Sequence, residues 1–338
     1  MTQRNIQKSV FQRPNDPYIY LLVRHDALNE WYCYNPTERL LGSGAMGDVY
    51  MGYRLSDRRP IAVKKVKDEY ANNHMIRERA RQEASLAFRH PNLVEMLGIC
   101  EYTPDYGPIF IISNYVNGED IDKYVKRFTD SVNRVEKVCN AVCSVLDALD
   151  YIHSRGVIHR DIKPSNIMVE DGSNVRLMDL GISRMNGGNK FSAFGFIGTP
   201  QYSAPEQIRR SVGSESNSIN ATTDIYELGI TFYELLTGNN PMNADSEIDT
   251  LEKQLTKTLP SVPEIPRRLY SVILKATEKE QSKRYQTALE FKEAIQESLL
   301  PEPPLIQRIV SNIKKNLTEY IFVMFTVVVI VTLLILFL

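Results

Sequence analysis

Within one short stretch the chain places His159-Arg160-Asp161-Ile162-Lys163-Pro164-Ser165-Asn166 and then Asp179-Leu180-Gly181. Asp161 is a carboxylate able to take the proton of an attacking hydroxyl. Lys163, at the next position but one, can balance charge on a transferred phosphoryl group. Asn166 and Asp179 are oxygen ligands of the kind that a hard cation such as magnesium takes. Phosphoryl transfer asks little covalent chemistry of a protein and a great deal of positioning and charge stabilisation, so these groups suit it. A charged surface loop is the plainer alternative.

A second run, Leu41-Gly42-Ser43-Gly44-Ala45-Met46-Gly47-Asp48-Val49, has the form G-x-G-x-x-G-x-V. Glycines let a backbone turn tightly and bring its amides close to phosphate oxygens. Three spaced glycines alone would read as a hairpin turn. Ile61-Ala62-Val63-Lys64 follows at the distance of the next-but-one strand, which gives the turn a cationic partner. A dinucleotide-binding reading is disfavoured, because this turn joins two strands and does not open a helix.

Together with Gly198-Thr199-Pro200-Gln201-Tyr202-Ser203-Ala204-Pro205-Glu206, these runs resemble the motifs of eukaryotic-type (Hanks-type) serine/threonine protein kinases, bacterial members included, in family order over residues about 37 to 298. The resemblance implies an α+β, bilobal fold and a catalytic set of Asp161, Lys163, Asn166, Asp179, Lys64 and a helix glutamate paired with Lys64. Glu83, in the helix expected after Lys64, is the choice for that partner, and Glu78 is its competitor. ATP would lie under residues 41–49, with Lys64 bridging its α- and β-phosphates and magnesium, or manganese in its place, on Asn166 and Asp179. By the same register, Phe110 to Gly118 is the last strand of the first lobe and the hinge. Backbone groups of Asn114 and Val116 would meet adenine, Asp120 the ribose hydroxyls, and Leu41, Val49, Ala62 and Met168 the two faces of the base. Ser113 would occupy the position that gates the rear pocket, where a larger residue is common.

The resemblance further implies that Thr199 orients Asp161 and Lys163, that Glu206 pairs with Arg284, and that Asp224 braces the catalytic loop. Arg160 beside Asp161 suits activation by a phosphorylated loop, since arginine binds phosphate bidentately. Ser192 is the chosen regulatory site over Ser183. Lys163 with Gly198-Thr199-Pro200 favours serine/threonine over tyrosine specificity. The implied function is transfer of the ATP γ-phosphoryl group to serine or threonine hydroxyls of proteins, with trans-autophosphorylation through self-association. A pseudokinase scaffold and a small-molecule kinase of related fold are the alternatives. All four polar groups are present, which weighs against the first, and the complete Ala204-Pro205-Glu206 segment weighs against the second.

The elements that must position these groups follow from the residue pattern. Residues 37–113 read as strands, a glycine turn and one helix within about Ala71 to Arg89, ended by Pro91. From 119 to 298 helical periodicity dominates, as in Val132, Val135, Val138, Cys139, Val142, Leu146 and Leu149. Residues 1–36 are an extension whose Tyr18–Val23 and Trp31–Tyr34 suit two strands forming a flap on the edge of the first lobe. The segment is too short for an independent core, which disfavours a separate ligand-binding module. Pro-Glu-Pro-Pro at 301–304 marks the end of the globular part, and 299–319 reads as a linker. From Ile321 to Leu338 there are 18 residues without a charge, glycine or proline. At about 1.5 Å per residue they approach the roughly 30 Å of a bilayer core. Residues 320–338 are therefore expected to be a transmembrane helix serving as a C-terminal anchor. Arg308, Lys314 and Lys315 would keep everything before it cytoplasmic.

Composition narrows the partners. The 338 residues carry 40 basic and 41 acidic side chains, so no polyanion-binding surface is implied and no nucleic acid is expected. Four cysteines are too few for a disulfide scaffold. Cys139 and Cys143 share a helix face as packing residues.

Overall fold

The computed structural model describes residues 9–24, 29–44, 47–86, 88–179, 199–211, 219–301, 321 and 330, the side chains of 79, 82–86 and 211 excepted. Ala45, Met46, Leu180, Ser183 and Ser192 lie outside the described residues, as do most of the expected linker and nearly all of the expected membrane helix. Among the described residues no helix is long and apolar enough to cross a membrane. The chain divides into two units, 1–298 and 299–338.

The first lobe is an antiparallel sheet. Its strands are β1 (Val10–Gln12), β2 (Ile19–Arg24), β3 (Asn29–Tyr34), β4 (Leu40–Ser43), β5 (Gly47–Arg54), β6 (Pro60–Val66), β7 (Met96–Glu101) and β8 (Ile109–Asn114). They run in the order β1-β2-β3-β5-β6-β8-β7, with β4 on β5. Side chains alternate between faces along a strand, and the two faces of this sheet have different work. Ile61 and Val63 of β6, with Phe110 and Ile112 of β8, join Leu21, Val23, Tyr32 and Tyr34 of the N-terminal strands in one buried core. Val66, Ile109 and Ile111 point the other way and bury Ile76 and Ala80 of helix α2 (His74–Leu86).

The N-terminal extension is thus part of the lobe. β3 pairs with the far half of β5, Tyr32 to Tyr34 against Arg54 to Gly52. The sheet then curls until β2 packs against β7, and the Cys100 thiol donates to the Ser9 carbonyl at 3.1 Å. The sequence pattern pointed to two added strands, whereas the structure has a third, β1. That strand was missed because Val10-Phe11-Gln12 follows a polar run and is too short to show an alternating pattern of its own. The helix expected over about 71–89 is shorter, with a single-turn α1 (Asp68–Ala71) ahead of α2.

The second lobe is mainly helical: α3 (Ile121–Lys126), α4 (Ser131–His153), α5 (Pro205–Ser211), α6 (Ala221–Thr237), α7 (Glu247–Thr256), α8 (Arg267–Ala276) and α9 (Ala288–Leu299). A small sheet of β9 (Gly118–Asp120), β10 (Ile167–Glu170) and β11 (Asn174–Leu177) lies at its upper edge. α4 starts where Asp130 accepts the Asn133 amide, and buries Val135, Val138, Cys139, Val142, Leu146 and Leu149. α6 starts on an Asn220 cap and ends at Gly238, whose φ of 74° only glycine adopts freely. Almost every α6 side chain is buried, so the helix is a fixed post inside the lobe.

Candidate active site

The catalytic loop hangs on that post. Arg160 has φ 67° and Asp179 φ 49°, a left-handed conformation that costs a non-glycine residue about 1–2 kcal/mol. Asp224 of α6 holds the first of these in place. Its carboxylate accepts the His159 amide at 2.8 Å, the Arg160 amide at 2.7 Å and His153 Nε2 at 2.7 Å. Burial works to raise the Asp224 pKa, but these donors and the neighbouring His159 more than offset it, so the carboxyl lies below its ordinary range. One turn later Glu227 accepts the Ile162 amide at 2.8 Å and Gln207 Nε2 at 2.9 Å. Gln207 in turn accepts the Ala204 amide at 2.6 Å. The sequence reading assigned Glu227 no role. Its place one helical turn after Asp224 was the available signal.

His159 joins the loop to the turn that carries Asp179. Its ring is fully buried; Nε2 donates to the Met178 carbonyl at 2.9 Å and Nδ1 accepts the Asp161 amide at 3.3 Å. A carbonyl can only accept and an amide can only donate, so the neutral Nε2–H ring satisfies both. Burial pushes its pKa down from 6.5.

Four sequence-selected side chains close on one another here. Thr199 Oγ1 accepts from Lys163 Nζ at 3.0 Å and donates to Asp161 Oδ1 at 3.2 Å, while Lys163 Nζ is 3.0 Å from Asp161 Oδ2. Asn166 Nδ2 donates to the Asp161 carbonyl at 2.8 Å and to Oδ2 at 3.1 Å. That commits the Asn166 nitrogen and leaves its Oδ1 as an oxygen donor. An open groove of about 490 Å³ passes Lys163 and Thr199 toward Asp122 and Glu234. Behind it the buried pair Glu206–Arg284 is bidentate, both contacts at 2.8 Å.

On the nucleotide side, strand alternation collects the selected residues on one face. Ala62 and Lys64 share the α2-facing side of β6 with Val66; Val49 pairs opposite Lys64, and Met51 opposite Ala62. Ser113 has the parity of Ile109 and Ile111 and pairs opposite Ala62. The Asn114 amide donates to Glu95 O at 3.0 Å, so of its two backbone groups Asn114 can offer a nucleotide only the carbonyl. Met168 and Asp120 are opposite each other on β10 and β9, and Asp120 pairs with Lys123 at 2.8 Å. In the glycine turn Ser43 donates to Asp48 at 2.6 Å. A Cβ at Gly47 would stand 2.4 Å from the Lys65 carbonyl, which is why that position carries none.

Lys64 Nζ lies 2.9 Å from Asp179 Oδ2. The lysine holds the half-exposed Asp179 carboxyl below its ordinary range, against the smaller opposing effect of burial. Glu78 forms its ion pair with Arg81. Helical position 83 falls on the face of Ile76 and Ala80 (i, i+4, i+7), which is buried against the sheet that carries Lys64. The Glu83 side chain is outside the described residues.

A strand-rich lobe and a helical lobe, with a glycine turn, a strand lysine and a loop of base, lysine and amide between them, define a nucleotide-dependent phosphotransferase architecture. The chain belongs to the protein kinase family: the family model described as "Protein kinase domain" matches residues 36–300. Among curated proteins it is 31% identical over 289 residues to the serine/threonine-protein kinase PknB of Mycobacterium tuberculosis, covering 82% of this chain and 45% of PknB. It is 30% identical over 257 residues to the serine/threonine-protein kinase PrkC of Bacillus subtilis, covering 74% of this chain and 38% of PrkC. The chain thus spans less than half the length of these relatives. Among solved structures, the kinase domain of M. tuberculosis PknI superposes with a TM-score of 0.59 at 26% identity, covering 79% of this chain and 95% of that one.

Proposed function

We propose that the chain is an ATP-dependent serine/threonine protein kinase working at the cytoplasmic face of a membrane. The observation that carries the reading is the closed set of Asp161, Lys163, Thr199 and Asn166, all within 3.2 Å of a neighbour in the set. The Asp161 carboxylate, oriented by Thr199 on Oδ1 and Asn166 on Oδ2, takes the proton of the acceptor hydroxyl on one of its oxygens. Lys163 balances the charge that develops on the transferred phosphoryl group. Lys64 holds the non-transferred phosphates, and the carbonyl of Asn114 with Val116 orients adenine.

Asn166 and Asp179 fit magnesium: each keeps an uncommitted carboxamide or carboxylate oxygen, and magnesium is usually bound by one or two protein oxygens, with phosphates and waters completing the shell. When bound, the cation neutralises charge on the phosphates. The open groove beside Thr199 favours an extended protein segment as acceptor over a small molecule. PknB and PrkC, named as serine/threonine-protein kinases, support the same acceptor class.

The membrane location rests on the apolar run 321–338 and the basic residues Arg308, Lys314 and Lys315 before it. The activity is tested with radiolabelled ATP and the full chain, followed by phosphoamino-acid analysis. Label on serine or threonine is expected from the wild type. General-base catalysis contributes about 10²–10⁴-fold, so Asp161→Asn should lower turnover by at least the smaller figure, and Lys64→Met should abolish it. Undiminished turnover in Asp161→Asn removes the assignment.

A further inference from the structure

Two arginines one turn apart on α2 converge on the end of β7 and the turn that joins it to β8. Arg77 is 1% exposed and is among the largest fully buried side chains of the described residues. It donates to the carbonyls of Pro104 at 3.0 Å and Gly107 at 2.9 Å, and to those of Ala71, Thr103 and Tyr106. Glu101, at the end of β7, balances its charge at 3.1 Å. Arg81 forks onto the same carboxylate, Nε to Oε2 at 2.8 Å and Nη2 to Oε1 at 2.9 Å.

A buried guanidinium is costly unless it is paired and its donors are satisfied. Filling the same space with leucine or methionine would be cheaper if packing were the only need. What an arginine adds is direction, because its donors form a fixed fork that is satisfied at one position of the helix. The adjoining face of α2, about 100° around the helix, seats Ile76 and Ala80 on Val66, Ile109 and Ile111. Val66 stands next to Lys64 on the same face of β6. Sliding α2 along the sheet would therefore change what stands over Lys64, and the arginine fork opposes that slide.

We infer that Arg77, Arg81 and Glu101 form a positioning clamp that holds α2 in the register at which Lys64 engages nucleotide phosphates, an inference resting on the kinase site proposed above. All three are positioning residues and act through Lys64.

The test is a thermodynamic cycle on nucleotide binding. Affinity for magnesium-ADP is measured by titration for the full chain with Arg81→Gln and with Glu101→Gln, each in the wild-type and the Lys64→Met background. Network residues of this kind carry coupling equivalent to about 2- to 30-fold in affinity. That loss is expected where Lys64 is present. In the Lys64→Met background it should be less than about 2-fold, because the affected contact is then already gone. Arg81→Lys, which keeps the charge opposite Glu101, should recover part of the loss. Phe291→Leu, in the helical lobe, should lower the melting temperature without changing affinity. Equal losses in both backgrounds, or no loss in either, overturn the clamp. Arg81 is partly exposed, so its substitution is the milder one. Should Glu101→Gln fail to fold, the Arg81 cycle still decides. A wild type that binds magnesium-ADP but transfers no phosphate sinks the kinase reading and leaves this test standing.

Discussion

His159 has no room for a charge. Its folded-state pKa is depressed below 6.5 by burial, whereas in the unfolded chain it should titrate near that value. Above about pH 6.5 both states are neutral and its full contribution to stability is present. As pH falls, the unfolded chain takes the proton first, so stability is lost from about pH 6.5 downward. His90, also lowered by burial, acts in the same window. Asp224 and Asp179, whose carboxyls are held below their ordinary value, lose theirs from the ordinary carboxylate range downward. Thermal melts between about pH 7.5 and 5.5 should therefore show a falling melting temperature, with a shallower slope in His159→Gln, whose amide can still donate to Met178. Parallel slopes would mean that His159 is not the titrating group. Ser113 makes a separate prediction. It pairs opposite Ala62 on the α2-facing side of the sheet, and if it gates the rear of the nucleotide site, as the kinase resemblance implies, its small side chain would leave that rear open. A bulky purine analogue should inhibit wild type at least about 10-fold better than Ser113→Phe, one extra buried ring being worth more than the 1.4 kcal/mol that factor needs. Such residues were legible in the sequence because their spacing is local. The joint roles of Arg77, Glu101, Gln207 and Glu227 were not, since the partners that define them come from distant parts of the chain and no short pattern encodes them.

At the scale of elements, the N-terminal strands decide how the first lobe is built. Leu21 of β2 and Ile61 of β6 are both 0% exposed and share one core. Without β1 to β3, one whole face of β6 and β8 would stand in water. Burial of each such side chain is worth about 1.5–3 kcal/mol, and a domain is stable by only about 5–15 kcal/mol. Deleting residues 1–36 should then leave no cooperatively folded chain, and Leu21→Ala should cost about 2–5 kcal/mol in a denaturant melt. A ligand-binding appendage would behave differently: its removal would leave the melting temperature where it was. The aromatic and β-branched residues of 18–23 and 31–34 revealed β2 and β3, but they could not reveal that these strands cover a face as well as extend an edge. That depends on the curl that brings β2 to β7, which is a property of the closed sheet. The same distinction separates α4 and α6, whose repeats announce buried helices, from the choice between Glu78 and Glu83. Helical phase becomes informative for such a choice only once the sheet-facing residues, Ile76 and Ala80, are known.

For the whole molecule, location governs how two copies meet. An apolar run at 321–338, if it spans a bilayer, turns a search in three dimensions into one within a surface layer. Encounter between copies is then governed by density in the membrane and no longer by bulk concentration. If autophosphorylation occurs between chains, the two regimes respond differently to dilution. For the full chain in vesicles, diluting protein and lipid together leaves surface density unchanged, so the initial rate per chain should stay constant. For a chain ending at residue 301, the rate per chain should fall in proportion to concentration, and at equal bulk concentration it should start lower. Adding empty vesicles to the reconstituted sample should do nothing if the chain is inserted, since an inserted helix does not exchange readily. If the full chain and the shortened one follow the same dilution curve, the segment does not confine the kinase. A rate per chain that is flat for both would instead mean that each copy phosphorylates itself.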